Sequence, residues 1–249
     1  MSKQIDYMYG IHPVQAALKY EPQQINQLLV LNNRQDEPLQ LILAEAKKAA
    51  IKIQFLSRQE LDTLIGHSHH QGIIAEVRAK ALLSEGDLPA LLEGSATKPL
   101  LLILDEIQDP HNLGACLRSA NAAGVTAVIS TKDKAVGITP AVRKAACGAA
   151  EATPFIQVTN LARTLRKLKE QGVWLFGMAG EAKKSIYQVD LTGPVGIILG
   201  SEGSGLRQLT RQQCDELLHI PMVGTVNSLN VSVAAGIGLF EVQRQRLKS

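Results

Sequence analysis

Two short segments of this chain are apolar at almost every position. Residues 100–104 read Leu-Leu-Leu-Ile-Leu, and residues 195–199 read Val-Gly-Ile-Ile-Leu. Strands that are apolar on both faces are typical of a parallel sheet covered by helices on both sides. Similar strands, separated by helical segments, are expected at residues 100–104, 127–130, 155–158, 173–178, 195–199 and 217–220. This alternation predicts a doubly wound α/β domain over residues 99–249.

Residues 1–80 alternate in the same way on a smaller scale. Strands are expected at 25–31, 51–56 and 72–77, and helices at 13–19, 37–50 and 58–65. The pattern predicts a small α/β domain with three strands and three helices. Residues 81–98 are rich in turn formers around a short helical stretch at 88–92, which predicts a linker.

Composition excludes several classes of protein. The formal net charge of +3 is too small to identify a nucleic-acid binder by itself. The basic runs at residues 163–169 and 244–248 are typical of solvated helix faces. No apolar run approaches the length of a bilayer span, and the first ten residues contain no apolar signal region. We therefore expect a cytoplasmic protein with no membrane partner.

The cysteines and histidines do not form a metal-binding pattern. Cys116, Cys147 and Cys214 are far apart, so we expect free, half-buried thiols rather than disulfides or a zinc site. A histidine cluster comprises His67, His69 and His70. A solvated loop is the favoured interpretation of this cluster, and a substrate contact is the alternative, because a metal would need further ligands in the right geometry.

The loop after residue 104 is the first of three that carry polar residues. Asn112 lies at the expected start of a helix, and Arg118 lies in its second turn. Asn112 could cap the helix, and Arg118 could pair with an acid such as Glu151. Alternatively, an Arg beside a crevice at the strand ends suits an anion or a phosphate, because its planar guanidinium matches phosphate geometry.

The second loop, Leu199-Gly-Ser-Glu-Gly-Ser-Gly205, is a glycine-rich turn between a strand and a helix. It has neither the dinucleotide fingerprint nor the lysine of a P-loop. Glu202 would repel a pyrophosphate and suits a ligand that carries donors or positive charge. A tight turn with an exposed Glu is the structural alternative.

The third loop leads into a helix that is apolar on nearly every side, at residues 220–240. Such a helix is normally buried, and buried polar groups need hydrogen-bond partners. Ser228, Asn230 and Ser232 cluster where this helix begins, which indicates a helix cap, a binding site, or both.

Ligands of doubly wound sheets bind outside the carboxyl ends of the strands, where all three loops are expected. The loops contain no paired carboxylates of the glycosidase type, no recognisable Ser/His/Asp order and no set of metal ligands. The combination favours group transfer with a soluble cofactor and without a metal.

The same loops resemble the three ordered motifs of the SpoU (TrmH) branch of the SPOUT RNA methyltransferases. The matching segments are Asn112-Leu-Gly-Ala-Cys-Leu-Arg118, Leu199-Gly-Ser-Glu-Gly203 and Ile220-Pro-Met222 with Ser228-Leu-Asn-Val-Ser232. Tyr9-Gly-Ile-His-Pro-Val-Gln-Ala16 and His70-Gln-Gly-Ile73 resemble the family's substrate-binding domain. The resemblance covers essentially the whole chain and is strongest to the bacterial 23S ribosomal RNA guanosine-2′-O-methyltransferases.

The resemblance implies an activity and a fold. The activity is S-adenosylmethionine-dependent 2′-O-methylation of a guanosine ribose in 23S rRNA. The fold is a SPOUT catalytic domain with a trefoil knot, which is rare among proteins, preceded by a substrate-binding domain that resembles ribosomal protein L30e. A homodimer through the catalytic domains is also implied.

The resemblance also implies the site residues. Those that bind the cofactor are Ala179, Gly180, Leu199, Gly200, Ser201, Gly203, Ile220, Pro221, Met222, Ser228 and Leu229. The catalytic set is Asn112, Arg118, Glu202, Ser228 and Asn230. Because Arg is effectively always protonated, Arg118 is expected to hold the target phosphate and stabilise the developing oxyanion rather than act as a base.

Three alternatives remain at this point. One is 2′-O-methylation of transfer RNA, as in shorter members of the family. Another is an RNA-binding protein of this fold without activity, which the intact set of catalytic residues disfavours. A nicotinamide-dependent oxidoreductase is disfavoured by the missing dinucleotide fingerprint.

Overall fold

The computed structural model of the chain describes residues 5–34, 36–66, 68–78 and 83–248. The chain divides into two compact units. The first comprises Met1–Ala81 and Ile138–Ala152, and the second comprises Leu82–Gly137 and Thr153–Ser249. The segment Ile138–Ala152 therefore belongs to the first unit although the sequence around it belongs to the second.

Helices and strands alternate along most of the chain. In order they are β1 Ile5–Tyr9, α1 Ile11–Tyr20, β2 Ile25–Leu31, α2 Glu37–Lys48, β3 Lys52–Leu56, α3 Arg58–Ile65, β4 Ile73–Arg78, α4 Leu88–Glu93, β5 Leu100–Asp105, α5 Pro110–Ala122, β6 Ala127–Thr131, α6 Pro140–Ala146, α7 Ala149–Ala152, β7 Phe155–Val158, α8 Leu161–Glu170, β8 Trp174–Met178, β9 Lys184–Ser185, β10 Val195–Gly200, α9 Gln208–Gln213, β11 Glu216–His219 and α10 Val231–Arg246. Short 3-10 turns lie at Pro22–Gln24, Glu85–Asp87 and Ile186–Gln188.

The first unit is built on a four-stranded sheet in the order β1-β4-β2-β3. The prediction of three strands was wrong, because it missed β1. This strand pairs antiparallel with β4, nearly seventy residues further along the chain, with Asp6 opposite Val77 and Tyr9 opposite Ile74. Its short, mixed sequence has little periodicity of its own, so long-range pairing decides its conformation.

The segment from Ile138 to Ala152 forms two helices, α6 and α7, whereas the sequence pattern of residues 140–149 by itself predicts a single helix. Cys147 adopts the left-handed conformation with φ of 51°, and Gly148 follows with φ of 92°. A Cβ on Gly148 would lie 2.4 Å from the Cβ of Ala16, so the break brings the backbone close to α1. Cys147 is exposed, so the expectation of a half-buried thiol was wrong at this position.

His70 contributes a buried polar contact to the first unit, and Arg143 contributes a partly buried one. His70 is 2% exposed; its Nδ1 accepts from the Gly72 N–H at 2.9 Å, and its Nε2 lies 3.0 Å from the Asp62 carboxylate. The prediction of a solvated loop is therefore wrong for His70. His69 is exposed, whereas His67 lies outside the described residues. Arg143 pairs with Asp6 at 2.6 Å.

The second unit contains a parallel sheet in the order β7-β6-β5-β10-β8-β11-β9. The predicted strands are confirmed to within about one residue at each end, and the two-residue β9 is additional. Every residue of β5 is buried, and β10 lies between β5 and β8. The predicted α/β class with a parallel sheet is confirmed.

Residues 83–98, within the predicted linker, pack onto the second unit. Leu88 is buried in its core, and Leu83 forms a parallel bridge with Ile156. Glu85 pairs with Arg163 at 2.8 Å and with Lys167 at 2.9 Å. Two cations of the basic run at residues 163–169 therefore form ion pairs within the second unit.

The two remaining cysteines lie within the second unit. Burial raises the pKa of the Cys116 thiol to about 12 and, as the largest cause, that of Cys214 to about 11. No group of three or more potential metal ligands occurs among the described residues. In the same part of the chain, no helix has the length and apolarity needed to cross a membrane.

Gly196 in β10 is a close-packed position, and Gly196→Ala tests it. The added Cβ would lie 2.8 Å from Leu175 Cδ2 and 3.0 Å from Ile103 Cδ1. We expect overpacking to lower the free energy of unfolding by about 1–3 kcal/mol. Gly193→Ala is the matched control, because nothing lies within 4 Å of its added Cβ. Urea denaturation followed by circular dichroism measures both variants, and equal stability of the two would contradict the packing argument.

Candidate functional site

A cavity of about 490 Å³ opens at the carboxyl ends of β8, β10 and β11, beside the start of α10. This is the edge at which a doubly wound sheet binds its ligands. The residues that line it are Met178, Ala179, Gly180, Leu199, Gly200, Ser201, Glu202, Gly203, Gly205, Leu218, His219, Ile220, Met222, Asn227, Ser228, Leu229, Asn230, Val231 and Ala234. Each residue predicted to bind the cofactor is among them except Pro221.

One wall of the cavity is the tight turn that follows β10. A Cβ on Gly200 would lie 2.1 Å from the carbonyl carbon of Gly205, so no other residue fits at position 200. Gly203 and Gly205 have φ of 86° and 65°, which glycine adopts without strain. The Gly205 N–H donates to the Ser201 carbonyl at 2.9 Å and closes the turn. The three glycines of the turn therefore add backbone but no side chain to the cavity wall.

Three polar side chains from the three loops form one hydrogen-bonded network. The Asn112 Nδ2 donates to Glu202 Oε1 at 2.9 Å. The Asn230 Nδ2 donates to the same carboxylate oxygen at 3.0 Å and to Asn112 Oδ1 at 2.9 Å. Two amides thus hold one carboxylate, and residues more than a hundred positions apart in sequence are joined at one point.

Asn112 does not cap α5, so that interpretation is wrong. Asp109 is the N-cap, and its carboxylate accepts from the His111 N–H at 2.9 Å. The Asn112 side chain is buried and directed to the other two loops.

Asn230 serves as both a cap and a member of the network. Its Oδ1 accepts from the Ser232 N–H at 2.9 Å and from the Ser232 hydroxyl at 2.6 Å, while its amide nitrogen serves the network. The helix that follows is less enclosed than predicted, because Val233 and Phe240 are each 50% exposed. Ser228 is exposed and lines the cavity.

Arg118 lies outside the cavity lining. It is an exposed residue of α5, the helix that also carries Asn112. In the first unit, the Arg143 Nε lies 3.3 Å from the Glu151 carboxylate.

Several lining residues were not among the predicted site residues. His219 is the last residue of β11, so the rule that sites lie at strand ends could have found it. Val231 and Ala234 lie three residues apart on the first turns of α10. Glu202 is the one residue among the lining residues that is an Asp, Glu, Lys or Arg. The cavity therefore suits a ligand that carries positive charge or donors.

Comparison with known proteins identifies the family. The model of the SpoU rRNA methylase family matches residues 99–240. The chain belongs to this family. A second family model, for RNA 2′-O ribose methyltransferase substrate binding, matches residues 7–83.

The chain is also similar to individual family members over nearly its full length. The 23S rRNA (guanosine-2′-O-)-methyltransferase RlmB of Coxiella burnetii is 56% identical over 99% of this chain and 98% of its own. The protein of the same name from Vibrio vulnificus is 54% identical over 98% of both chains.

Solved structures share the fold. The SpoU methyltransferase AviRb from Streptomyces viridochromogenes, in complex with the cofactor AdoMet, superposes with a TM-score of 0.82 at 21% identity, covering 98% of this chain and 92% of its own. An RNA 2′-O ribose methyltransferase superposes with a TM-score of 0.80 at 27% identity, covering 99% and 90%.

The two roles of Asn230 can be separated by substitution. We expect Asn230→Ala to lower the free energy of unfolding by about 1 kcal/mol, because the cap of α10 is lost. Asn230→Ser should retain nearly full stability, because Ser is a comparable helix cap. Its single hydroxyl cannot replace the amide that donates to both Asn112 and Glu202. Thermal melting of the two variants makes the comparison. Equal destabilisation by Ser and Ala would mean that the cap contributes little.

Proposed function

We propose that the chain is an S-adenosylmethionine-dependent enzyme that methylates the 2′-oxygen of a guanosine ribose in 23S rRNA. The observation that carries the proposal is the network of Asn112, Glu202 and Asn230 at the cavity, found in a chain of the SpoU family. Relatives named for this reaction are similar over nearly the whole chain. This similarity favours ribosomal over transfer RNA as the substrate.

The cavity fits the cofactor in size and charge. Its volume of about 490 Å³ lies in the usual range for ligand sites, roughly 300–1,000 Å³. When bound, S-adenosylmethionine supplies a methyl group on a positively charged sulfur. Glu202 provides the complementary charge, and the backbone of the turn after Gly200 provides polar groups without bulk. The residues proposed to hold the cofactor are Ala179, Gly180, Leu199, Gly200, Ser201, Gly203, Ile220, Pro221, Met222, Ser228 and Leu229.

The polar residues around the cavity have separate proposed roles. Asn112 and Asn230 keep the Glu202 carboxylate in one orientation through donated hydrogen bonds. The exposed hydroxyl of Ser228 is available to orient the ribose. Arg118 lies away from the cavity lining, which supports a role with RNA: its guanidinium holds the target phosphate and stabilises negative charge as it develops on the ribose oxygen.

The domain roles follow from the family models. We propose that residues 1–80 form the RNA-binding domain, that 81–98 connect it and that 99–249 form the catalytic domain. The trefoil knot stays a prediction that rests on membership of the SpoU family. A cytoplasmic location is proposed because ribosomal RNA is the substrate.

We also propose a homodimer through the catalytic domain. The half-exposed Val233 and Phe240 on α10 support this, because apolar patches of this kind mark association surfaces. Sedimentation equilibrium of the full chain tests it, and a monomer at micromolar concentration would contradict it.

The function is tested by mapping 2′-O-methylation in a strain that lacks this gene. Loss of one guanosine methylation in 23S rRNA, restored by the wild-type gene, would support the proposal. Loss confined to transfer RNA would favour the other substrate class, and no change in any RNA would favour a protein that binds RNA without activity.

Arg118→Ala tests the role assigned to Arg118. We expect methyl transfer to fall about a hundredfold or more, because one preorganised donor to a developing oxyanion contributes on that scale. The affinity for S-adenosylmethionine, measured by calorimetry, should stay within about twofold, because Arg118 lies outside the cavity lining. Arg163→Ala is the control, an exposed Arg whose partner is Glu85. An Arg118 variant as active as this control would refute the role.

Asn230→Ser tests the network in the reaction. The substitution keeps a cap on α10 but removes the amide that donates to Asn112 and Glu202. We expect single-turnover methyl transfer to fall about a hundredfold at a temperature where the variant is fully folded. Normal transfer would assign Asn230 a structural role alone.

A further inference from the structure

Asp105, which none of the three motifs contains, is a buried carboxylate at the end of β5. It is 1% exposed and lies opposite Gly200 in the parallel register of β5 and β10. An ionised group at such a position is stable only when it is paired and hydrogen-bonded. The partner of the Asp105 carboxylate therefore indicates the role of this residue.

That partner is Arg207, the residue that immediately precedes α9. The Arg207 Nε and Nη2 lie 2.7 Å and 2.6 Å from Asp105 Oδ1, and the Arg207 backbone N–H donates to Oδ2 at 3.2 Å. The Arg207 Nη1 also lies 3.1 Å from Glu106 Oε1. Asp105 therefore holds both the side chain and the main chain of Arg207.

These contacts close the glycine loop, which we define as residues 200–207. The loop begins at Gly200, paired with Asp105 in the sheet, and it ends at Arg207, bound to the Asp105 carboxylate. Between these ends, Glu202 is held by Asn112 and Asn230. The loop is thus fixed at its base by one residue and near its tip by two others.

We propose that Asp105 is a positioning residue for the cofactor site. Through Arg207 it fixes the glycine loop, whose backbone lines the cavity and whose Glu202 carries the cavity's negative charge. It does so without lining the cavity itself. Binding groups held in place before the ligand arrives avoid the entropy of ordering on binding. The cofactor identity in this inference rests on the proposed function.

Asp105→Asn is the principal variant. An Asn keeps the shape of Asp105 but has a single acceptor oxygen, so it cannot hold the guanidinium and the backbone N–H of Arg207 together. In the protein without cofactor, we expect amide hydrogen exchange at Gly205 and Arg207 to accelerate about tenfold, because the loop opens more often. The Kd for S-adenosylmethionine, measured by calorimetry, should rise about tenfold.

Arg207→Gln tests the same contact from the partly exposed side. It removes the guanidinium that is 45% exposed and keeps the backbone N–H. This variant decides the question should Asp105→Asn fail to fold. Both substitutions break the same interaction. The Kd of the double variant for S-adenosylmethionine should therefore be close to that of the single variant with the higher Kd.

Asp215→Asn is the matched control. Asp215 also accepts from a backbone N–H, that of Leu175 at 2.8 Å, and pairs with a cation, Lys169 at 2.7 Å. It does not contact the glycine loop, so its loss should leave the Kd for S-adenosylmethionine and the loop's exchange rates unchanged.

The outcomes separate this inference from the proposed function. If the wild-type chain binds S-adenosylmethionine and methylates rRNA, but Arg207→Gln leaves exchange and affinity at wild-type values, the positioning role is refuted and the function stands. Faster loop exchange in Asp105→Asn and Arg207→Gln, but not in Asp215→Asn, supports the role even if the wild type binds a different ligand. Equal effects of all three variants would indicate general destabilisation and overturn the proposal.

Discussion

The structure of the second unit depends on the insertion of β10 between β5 and β8. This strand carries Gly196 and Gly200, and at both positions a Cβ would meet neighbouring atoms at 3 Å or less. Gly200 leaves no room for a side chain, and Gly196 lets the strand pack closely against its neighbours. Its end then lies beside the ends of β5 and β8, and the loop that follows it is directed to the same edge of the sheet. The cavity is a consequence of that placement.

A carboxylate shared by two amides connects the loops at this edge. Glu202 lies within the glycine loop, Asn112 on α5 and Asn230 at the cap of α10. A movement of any one loop breaks a hydrogen bond of the other two. Charge-assisted hydrogen bonds of this kind are stronger than neutral ones, so the network keeps three independent segments in one arrangement.

Much of the second unit could be predicted from sequence, because its strands are apolar on both faces and its helices lie between them. The same method missed β1, which has little pattern of its own and is held by pairing with β4. It also joined α6 and α7 into one helix, because the left-handed turn at Cys147 and Gly148 has no strong local signal. The close approach of Gly148 to α1 determines that turn.

In the candidate site, too, some features could be predicted from the sequence and others depend on tertiary contacts. The sequence by itself determined which loops carry the polar residues and to which family the motifs belong, since motif order and strand periodicity are properties of the chain. Only the tertiary structure decided that Asn112 is a partner of Glu202 rather than a cap, that His70 is buried, and that Asp105 holds Arg207. Each depends on groups distant in sequence or on burial. Hydrogen bonds and desolvation act through space, so their partners are settled only once the sheet has brought the strand ends together.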